Sequence, residues 1–145
     1  MKIKIPFKLL SLQGDGYHLL IKVKLNNKVA NMLIDTGASR TIFDKKKIKK
    51  YVKAGELRAH DSHASGLGTN KMETFICTID SFKIGTLQIK NYETGILDIS
   101  HVNTSYKLLK LKPIDGVIGS DLLKKYKAVI DYEEKTLTLH SKVNA

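Results

Sequence analysis

The sequence predicts a mainly β domain, a small closed or half-closed barrel with two or three short helices. Short runs that alternate polar and apolar residues recur along the chain, separated by turn signals such as Gly14 and Gly16. Many short strands favour a barrel over a βαβ sheet. The 145 residues, of which 42% are hydrophobic, fit a single domain over residues 1–145.

The first elements are strands joined by tight turns. The segment KIKIPFKLL has a period of two, and Pro6 indicates a sheet edge or a strand end. Strands at residues 17–25 and 29–34 are predicted to form a hairpin around the two asparagines at 26–27.

A short strand and a basic helix are predicted next. Residues 41–43 are β-branched or aromatic, and Asp44 is suited to cap a helix through KKKIKKYVKAG that closes at Gly55. Its lysines would face water. Its inward-facing residues would be Ile48, Tyr51 and Val52.

A long hairpin is predicted over residues 56–85, with its tip near the glycines at 66–70. The remaining elements are, in order, a strand at 87–99, a helix at 102–110, a strand at 117–118, a helix at 120–126 and a hairpin of 128–132 with 136–140.

The net charge of +11 comes almost entirely from lysine, since Arg40 and Arg58 are the only arginines. Specific readers of nucleic acid favour arginine forks, and single-strand binders interleave aromatic residues with basic ones. We therefore expect a solvated lysine-rich surface and no specific nucleic-acid partner. No apolar run approaches the roughly 20 residues that cross a bilayer, so we expect no membrane association.

Cys77 is the single cysteine, which excludes an internal disulfide and favours a reducing, cytoplasmic location. Its apolar surroundings, TFICTI, indicate a core position. His60 and His63 lack a further ligand cluster at matching spacing, so we expect no metal site.

The stretch NMLIDTGASRTIFD places a carboxylate, Asp35, at the end of an apolar strand. A buried or half-buried carboxylate is costly unless partners stabilise it. Thr36 offers a hydroxyl group, and Gly37 and Ala38 allow close backbone approach. An Asx-type turn, in which Asp35 bonds its own backbone, is the alternative.

A second motif, IDGVIGSDLL, lies about eighty residues after Asp35 and again joins an apolar strand through glycine to a helix. Together, LIDTGA, SGLGTN and GVIGSDLL resemble, in that order, the motifs of the single-domain retropepsin-type aspartic proteases of retroviruses and bacteria. The resemblance covers nearly the whole chain, and its middle motif is the least specific.

The resemblance implies a homodimeric aspartic endopeptidase acting on polypeptides without a metal or an organic cofactor. The chain has one Asp-Thr-Gly triplet, so two copies of Asp35 would form the catalytic pair and activate a water molecule. Thr36, Gly37 and Ala38 would complete the active-site loop. The family's flap and glycine-strand positions are Ser65, Gly66, Leu67 and Gly68, and Val117, Ile118 and Gly119.

Two departures concern the dimer. Retroviral relatives pair an aspartate with an arginine at the positions of Ser39 and Ser120, and the segment 44–56 resembles an inserted helix. Two functions therefore remain open: a dimeric endopeptidase, or a catalytically idle protease-like fold that serves as a binding or dimerisation module.

Overall fold

The computed structural model describes residues 1–59 and 74–142. Two α-helices, α1 (Ser100–Leu108) and α2 (Ser120–Lys125), and two single 3-10 turns, Ile48–Lys50 and Ala54–Glu56, accompany the strands of these ranges. The strands are β1 (Lys2–Pro6), β2 (Lys8–Ser11), β3 (Tyr17–Leu25), β4 (Lys28–Ile34), β5 (Ile42–Asp44), β6 (Arg58–Ala59), β7 (Phe75–Ile84), β8 (Leu87–Leu97), β9 (Gly116–Ile118), β10 (Val129–Asp131) and β11 (Thr136–His140).

The hairpin of β3 and β4 forms where the sequence predicts it. Asn26 and Asn27 have φ angles of +49° and +67°, as a two-residue turn that matches the strand twist requires. Asn26 also contacts two other segments, since its side chain donates to the Tyr51 carbonyl and accepts from the Ser81 amide. The turn therefore joins the hairpin to its neighbours as well as reversing the chain.

Six strands close into a barrel in the order β3, β4, β9, β5, β8 and β7, and pairing of β3 with β7 completes the circle. The inward residues are apolar, with Met32, Phe43, Ile79, Phe82 and Ile96 fully buried. The predicted mainly β barrel is confirmed.

A second, three-stranded sheet covers the barrel, with β11 between β1 and β10. Ile3 and Ile5 of β1 lie opposite Leu139 and Leu137 of β11, and all four residues are buried. Pro6 ends β1, which is an edge strand, as predicted from its missing N–H group.

The prediction of a helix after Asp44 is wrong. Asp44 is the last residue of β5, and the following lysines form only a 3-10 turn. An α-helix would place Lys45 against Lys49 and Lys46 against Lys50, which are repulsive pairs. Ile48 and Val52 are nevertheless buried, as expected, and Tyr51 is half-buried.

The long hairpin is present at its base, where β6 pairs antiparallel with β7. Its predicted tip, including Ser65, Gly66, Leu67 and Gly68, lies outside the described residues, as do His60 and His63. None of the helices within the described ranges is long and apolar enough to cross a lipid bilayer.

Candidate active site

Asp35 directly follows β4, where the barrel sheet continues into a loop of residues 35–40, here called the Asp35 loop. The Asp35 amide donates to the Ile118 carbonyl at 2.9 Å, which extends the parallel pairing of β4 with β9 by one residue. The strand partner therefore fixes the Asp35 backbone. In the single chain the residue is exposed, contrary to our expectation of a buried or half-buried carboxylate.

The Asp35 carboxylate also organises its own loop. Its Oδ1 accepts a hydrogen bond from the Gly37 amide at 2.9 Å, and the backbone carbonyl of Asp35 accepts one from the Ala38 amide at 3.2 Å. This is the Asx-type turn that the sequence left as an alternative. A Cβ atom on Gly37 would lie 3.3 Å from Oδ1, so glycine leaves room for the carboxylate. Thr36 is exposed beside it.

The glycine strand lies directly beneath this loop. Val117 and Ile118 are buried in β9, and the amide of Ser120 donates to the Ala38 carbonyl at 2.7 Å. A Cβ atom on Gly119 would come within 2.6 Å of the Arg40 carbonyl carbon. The structure thus brings together the first and third motifs, eighty residues apart, through backbone contacts that only glycine permits.

Thr41 and Asp121 hold the far end of the Asp35 loop, and the sequence analysis assigned neither of them to the site. Thr41 is buried; its hydroxyl group accepts from the Gly119 amide at 3.0 Å and donates to the Asp121 carboxylate at 2.8 Å. The same oxygen of Asp121 accepts the Thr41 amide at 2.9 Å. The position of Asp121 in the first turn of α2 was expected, but no spacing rule links it to Thr41.

A cavity of about 200 Å³ opens beside Asp35 and Thr36. His18 lines it and shares a hydrogen bond of 2.7 Å with the Tyr106 hydroxyl group of α1. Burial raises the pKa of Tyr106 to about 12, so this hydroxyl group stays neutral at physiological pH. No motif or spacing in the sequence points to His18. The cavity can hold a small side chain next to the carboxylate.

Apolar surface surrounds this cavity. Tyr17 and Tyr132 line it and are 61% and 60% exposed, and Ile130 of the edge strand β10 also lines it. An unpaired strand edge with exposed apolar side chains is a surface suited to another chain.

Cys77 is fully buried, as expected, and burial raises the pKa of its thiol group.

Comparison with known proteins identifies the family. An aspartyl protease family model matches residues 21–122, which span the Asp35 loop, the barrel and the glycine strand. The chain belongs to the aspartyl protease family. Its predicted retropepsin-like character is confirmed by solved structures of the same fold.

Among those structures is a retropepsin-like aspartic protease from Rickettsia conorii, with a TM-score of 0.58 and 24% identity, covering 96% of this chain and 89% of that one. The retroviral protease-like domain of Ddi1 from Leishmania major has a TM-score of 0.59 and 17% identity, covering 87% of this chain and 90% of that domain.

A curated relative, the UBA domain-containing protein Mud1 of Schizosaccharomyces pombe, is 25% identical over 132 residues. The match covers 89% of this chain but only 35% of Mud1, so this aspartyl protease domain spans about a third of that relative.

Proposed function

We propose that this aspartyl protease is an endopeptidase that acts as a homodimer, with one Asp35 from each protomer forming the catalytic pair. The observation that carries the proposal is the position of Asp35. Its backbone is anchored to β9, its loop rests against Gly119, and its carboxylate is exposed toward solvent. An exposed and firmly held carboxylate can meet its symmetry mate without rearranging the barrel.

The chemistry follows from two adjacent carboxylates. Two such groups a few ångströms apart cannot readily both ionise, so they share one proton. The ionised member accepts a proton from a bound water as that water attacks the scissile carbonyl carbon. The protonated member donates a hydrogen bond to the carbonyl oxygen, and a proton is then delivered to the leaving amine.

Neighbouring residues would support this chemistry. Gly37 donates to Oδ1 of Asp35, which stabilises the ionised form. We further propose that Thr36 bonds across the two-fold axis, and that Ser65, Gly66, Leu67 and Gly68 close over an extended peptide.

The second protomer would cover the apolar surface beside Asp35. Tyr17 and Tyr132 are exposed there, and among the described strands β10 leaves one edge of the three-stranded sheet unpaired. These features support a dimer held by apolar contact and strand pairing, in place of the ion pair that Ser39 and Ser120 cannot form.

Pairing of β1 with β11, from opposite ends of the chain, supports a single domain over 1–145.

A catalytically idle, protease-like binding module is the second candidate. The relationship to Mud1 favours it, because that relative is described by its UBA domain and contains this domain as about a third of its length. The lone thiol of Cys77 supports a reducing compartment such as the cytoplasm for either function.

Cleavage of a peptide library separates the two functions. Wild type should cleave, with a rate that rises as the square of protein concentration in dilute solution, and a transition-state analogue of aspartic proteases should stop it. Asp35→Asn should be inactive. Asp80→Asn removes the same charge at another exposed position and should retain full activity. Equal cleavage by wild type and Asp35→Asn, or no cleavage by wild type at any concentration, contradicts the endopeptidase proposal.

A further inference from the structure

A groove of about 570 Å³ lies between the turn after β5 and helix α1, and it shares no lining residue with the cavity beside Asp35. The wall from α1 is one helical face, because its lining positions are spaced by three and four residues. These positions are Ser100, Asn103, Thr104 and Lys107. The opposite wall carries three further lysines, Lys46, Lys47 and Lys50.

Buried polar contacts hold the two walls in place. The Asp44 carboxylate, 1% exposed, accepts the Lys47 amide at 3.2 Å from one wall and the Ile99 amide at 3.0 Å from the start of the other. The Asn103 side chain donates to the Ile114 carbonyl and accepts from its amide at 3.1 and 2.7 Å. The groove is therefore formed before any ligand arrives, which lowers the entropic cost of binding.

The lysines of the groove form no salt bridge with the described residues of the chain. Lys46, Lys50 and Lys107 are exposed. Within residues 1–59 and 74–142, no carboxylate comes within 4 Å of their ammonium groups, since the ion pair found there joins Arg58 and Glu93. Asp44, the acid in the groove, has both oxygens bonded to backbone amides. Asp98 attracts Lys46 from beyond salt-bridge distance. The four lysines that line the groove outnumber Asp44 and Asp98, so an anionic ligand would meet net positive charge.

The lining also selects among anions. The amide and the hydroxyl group of Ser100 could donate hydrogen bonds to a phosphate group, but both already donate to the Asp98 carboxylate. Of the described residues that line the groove, none is arginine or aromatic, as recognition of nucleotides or nucleic acid favours. Leu111 and Pro113, together with the aliphatic stems of the lysines, supply apolar surface.

We propose that this groove binds an acidic, aliphatic polypeptide segment. Its carboxylates would lie at Lys46, Lys50 and Lys107, and its aliphatic side chains on Leu111 and Pro113. The site is separate from the Asp35 cavity, so the proposal holds whether or not Asp35 is catalytic. It gives this protein a second, charge-selective surface for polypeptides.

Binding of a labelled peptide tests the proposal. The probe is a ten-residue peptide of alternating Glu and Leu with a neutral dye, and its partner has Gln at every Glu position. Fluorescence anisotropy with the full chain should give saturable binding of the Glu peptide and at least about tenfold weaker binding of the Gln peptide. Amide shifts in two-dimensional NMR should cluster at Lys46, Lys47, Thr104 and Lys107.

Two charge-matched triple variants locate the site. Replacing Lys46, Lys50 and Lys107 by Glu should weaken binding by about tenfold or more, because three attractions become repulsions. The same replacement of the exposed strand residues Lys22, Lys24 and Lys90 should weaken it less than about twofold. If the groove variant does not fold, the Lys→Gln triple should give a smaller loss in the same direction.

Three results would overturn the proposal. Equal weakening by the two triple variants would show a diffuse charge effect. Equal affinity for the Gln peptide would remove the role of carboxylates. Displacement of the peptide by inorganic polyphosphate or duplex DNA at lower concentration, dependent on the groove lysines, would assign the groove to phosphate polymers instead.

Discussion

Gly119 lies directly against the Asp35 loop, and alanine at this position should displace that loop. The new Cβ atom would lie 2.6 Å from the Arg40 carbonyl carbon, 2.7 Å from its oxygen and 2.8 Å from the Ala38 carbonyl oxygen. All three are backbone atoms and cannot move by a side-chain rotation. The loop must retreat by roughly 0.8 Å to restore ordinary van der Waals distance.

The cost of this displacement has two parts. Overpacking of a tight site destabilises a protein by about 1–3 kcal/mol. The retreat also lengthens the bond from the Ser120 amide to the Ala38 carbonyl, now 2.7 Å, which contributes about 1 kcal/mol. We expect Gly119→Ala to lower the free energy of unfolding by about 2–4 kcal/mol. For the proposed endopeptidase, displacing the Asp35 carboxylate by nearly an ångström should lower kcat/KM by about 100-fold.

Gly95→Ala is the matched control, since Gly95 lies in the barrel strand β8 and pairs with Ile42 of β5, the strand that follows the Asp35 loop. There a new Cβ atom would meet only Cγ2 of Ile42, at an ordinary 3.6 Å. Its unfolding free energy should stay within about 0.5 kcal/mol of wild type.

Urea denaturation at equal protein concentrations measures both variants, because the proposed dimer would make stability depend on concentration. If Gly119→Ala unfolds at the wild-type midpoint with an unchanged m value, the close approach at Gly119 does not restrict the loop and the reasoning fails.

Three further predictions concern buried polar groups. Thr41→Val should lower the free energy of unfolding by about 1–3 kcal/mol in urea denaturation, because the Gly119 amide loses its acceptor, whereas Thr41→Ser should retain most of the stability. Asp44→Ala should leave the Lys47 and Ile99 amides without an acceptor and speed their hydrogen exchange, with little change in the exchange of β3 amides; unchanged rates at both positions would contradict this role. Burial raises the pKa values of Tyr92 and Tyr106 to about 12, so the unfolded chain releases these protons first. The contribution of these two tyrosines to the free energy of unfolding should therefore be constant below about pH 10 and fall between pH 10 and 12, and Tyr106→Phe should reduce that slope.

The sequence by itself determined the elements whose causes are local. Alternation over 17–25 predicts β3, the apolar run at 29–34 predicts most of β4, and two adjacent asparagines provide the positive φ angles of their turn. The turn at Asp35 is equally local, because a carboxylate and an amide two residues later suffice to form it. The resemblance then assigned Asp35 to the active-site loop and Gly119 to the glycine strand.

Only the tertiary structure decided the features that depend on distant partners. The segment after Asp44 has the composition of a capped helix, yet the Asp44 carboxylate bonds to Ile99, and Ile48 is buried in the barrel. Thr41 meets Asp121 because β9 lies between β4 and β5 and brings α2 to the loop. These two contacts join residues 55 and 80 positions apart, so no local pattern encodes them. They follow from how the closed barrel brings its strands together.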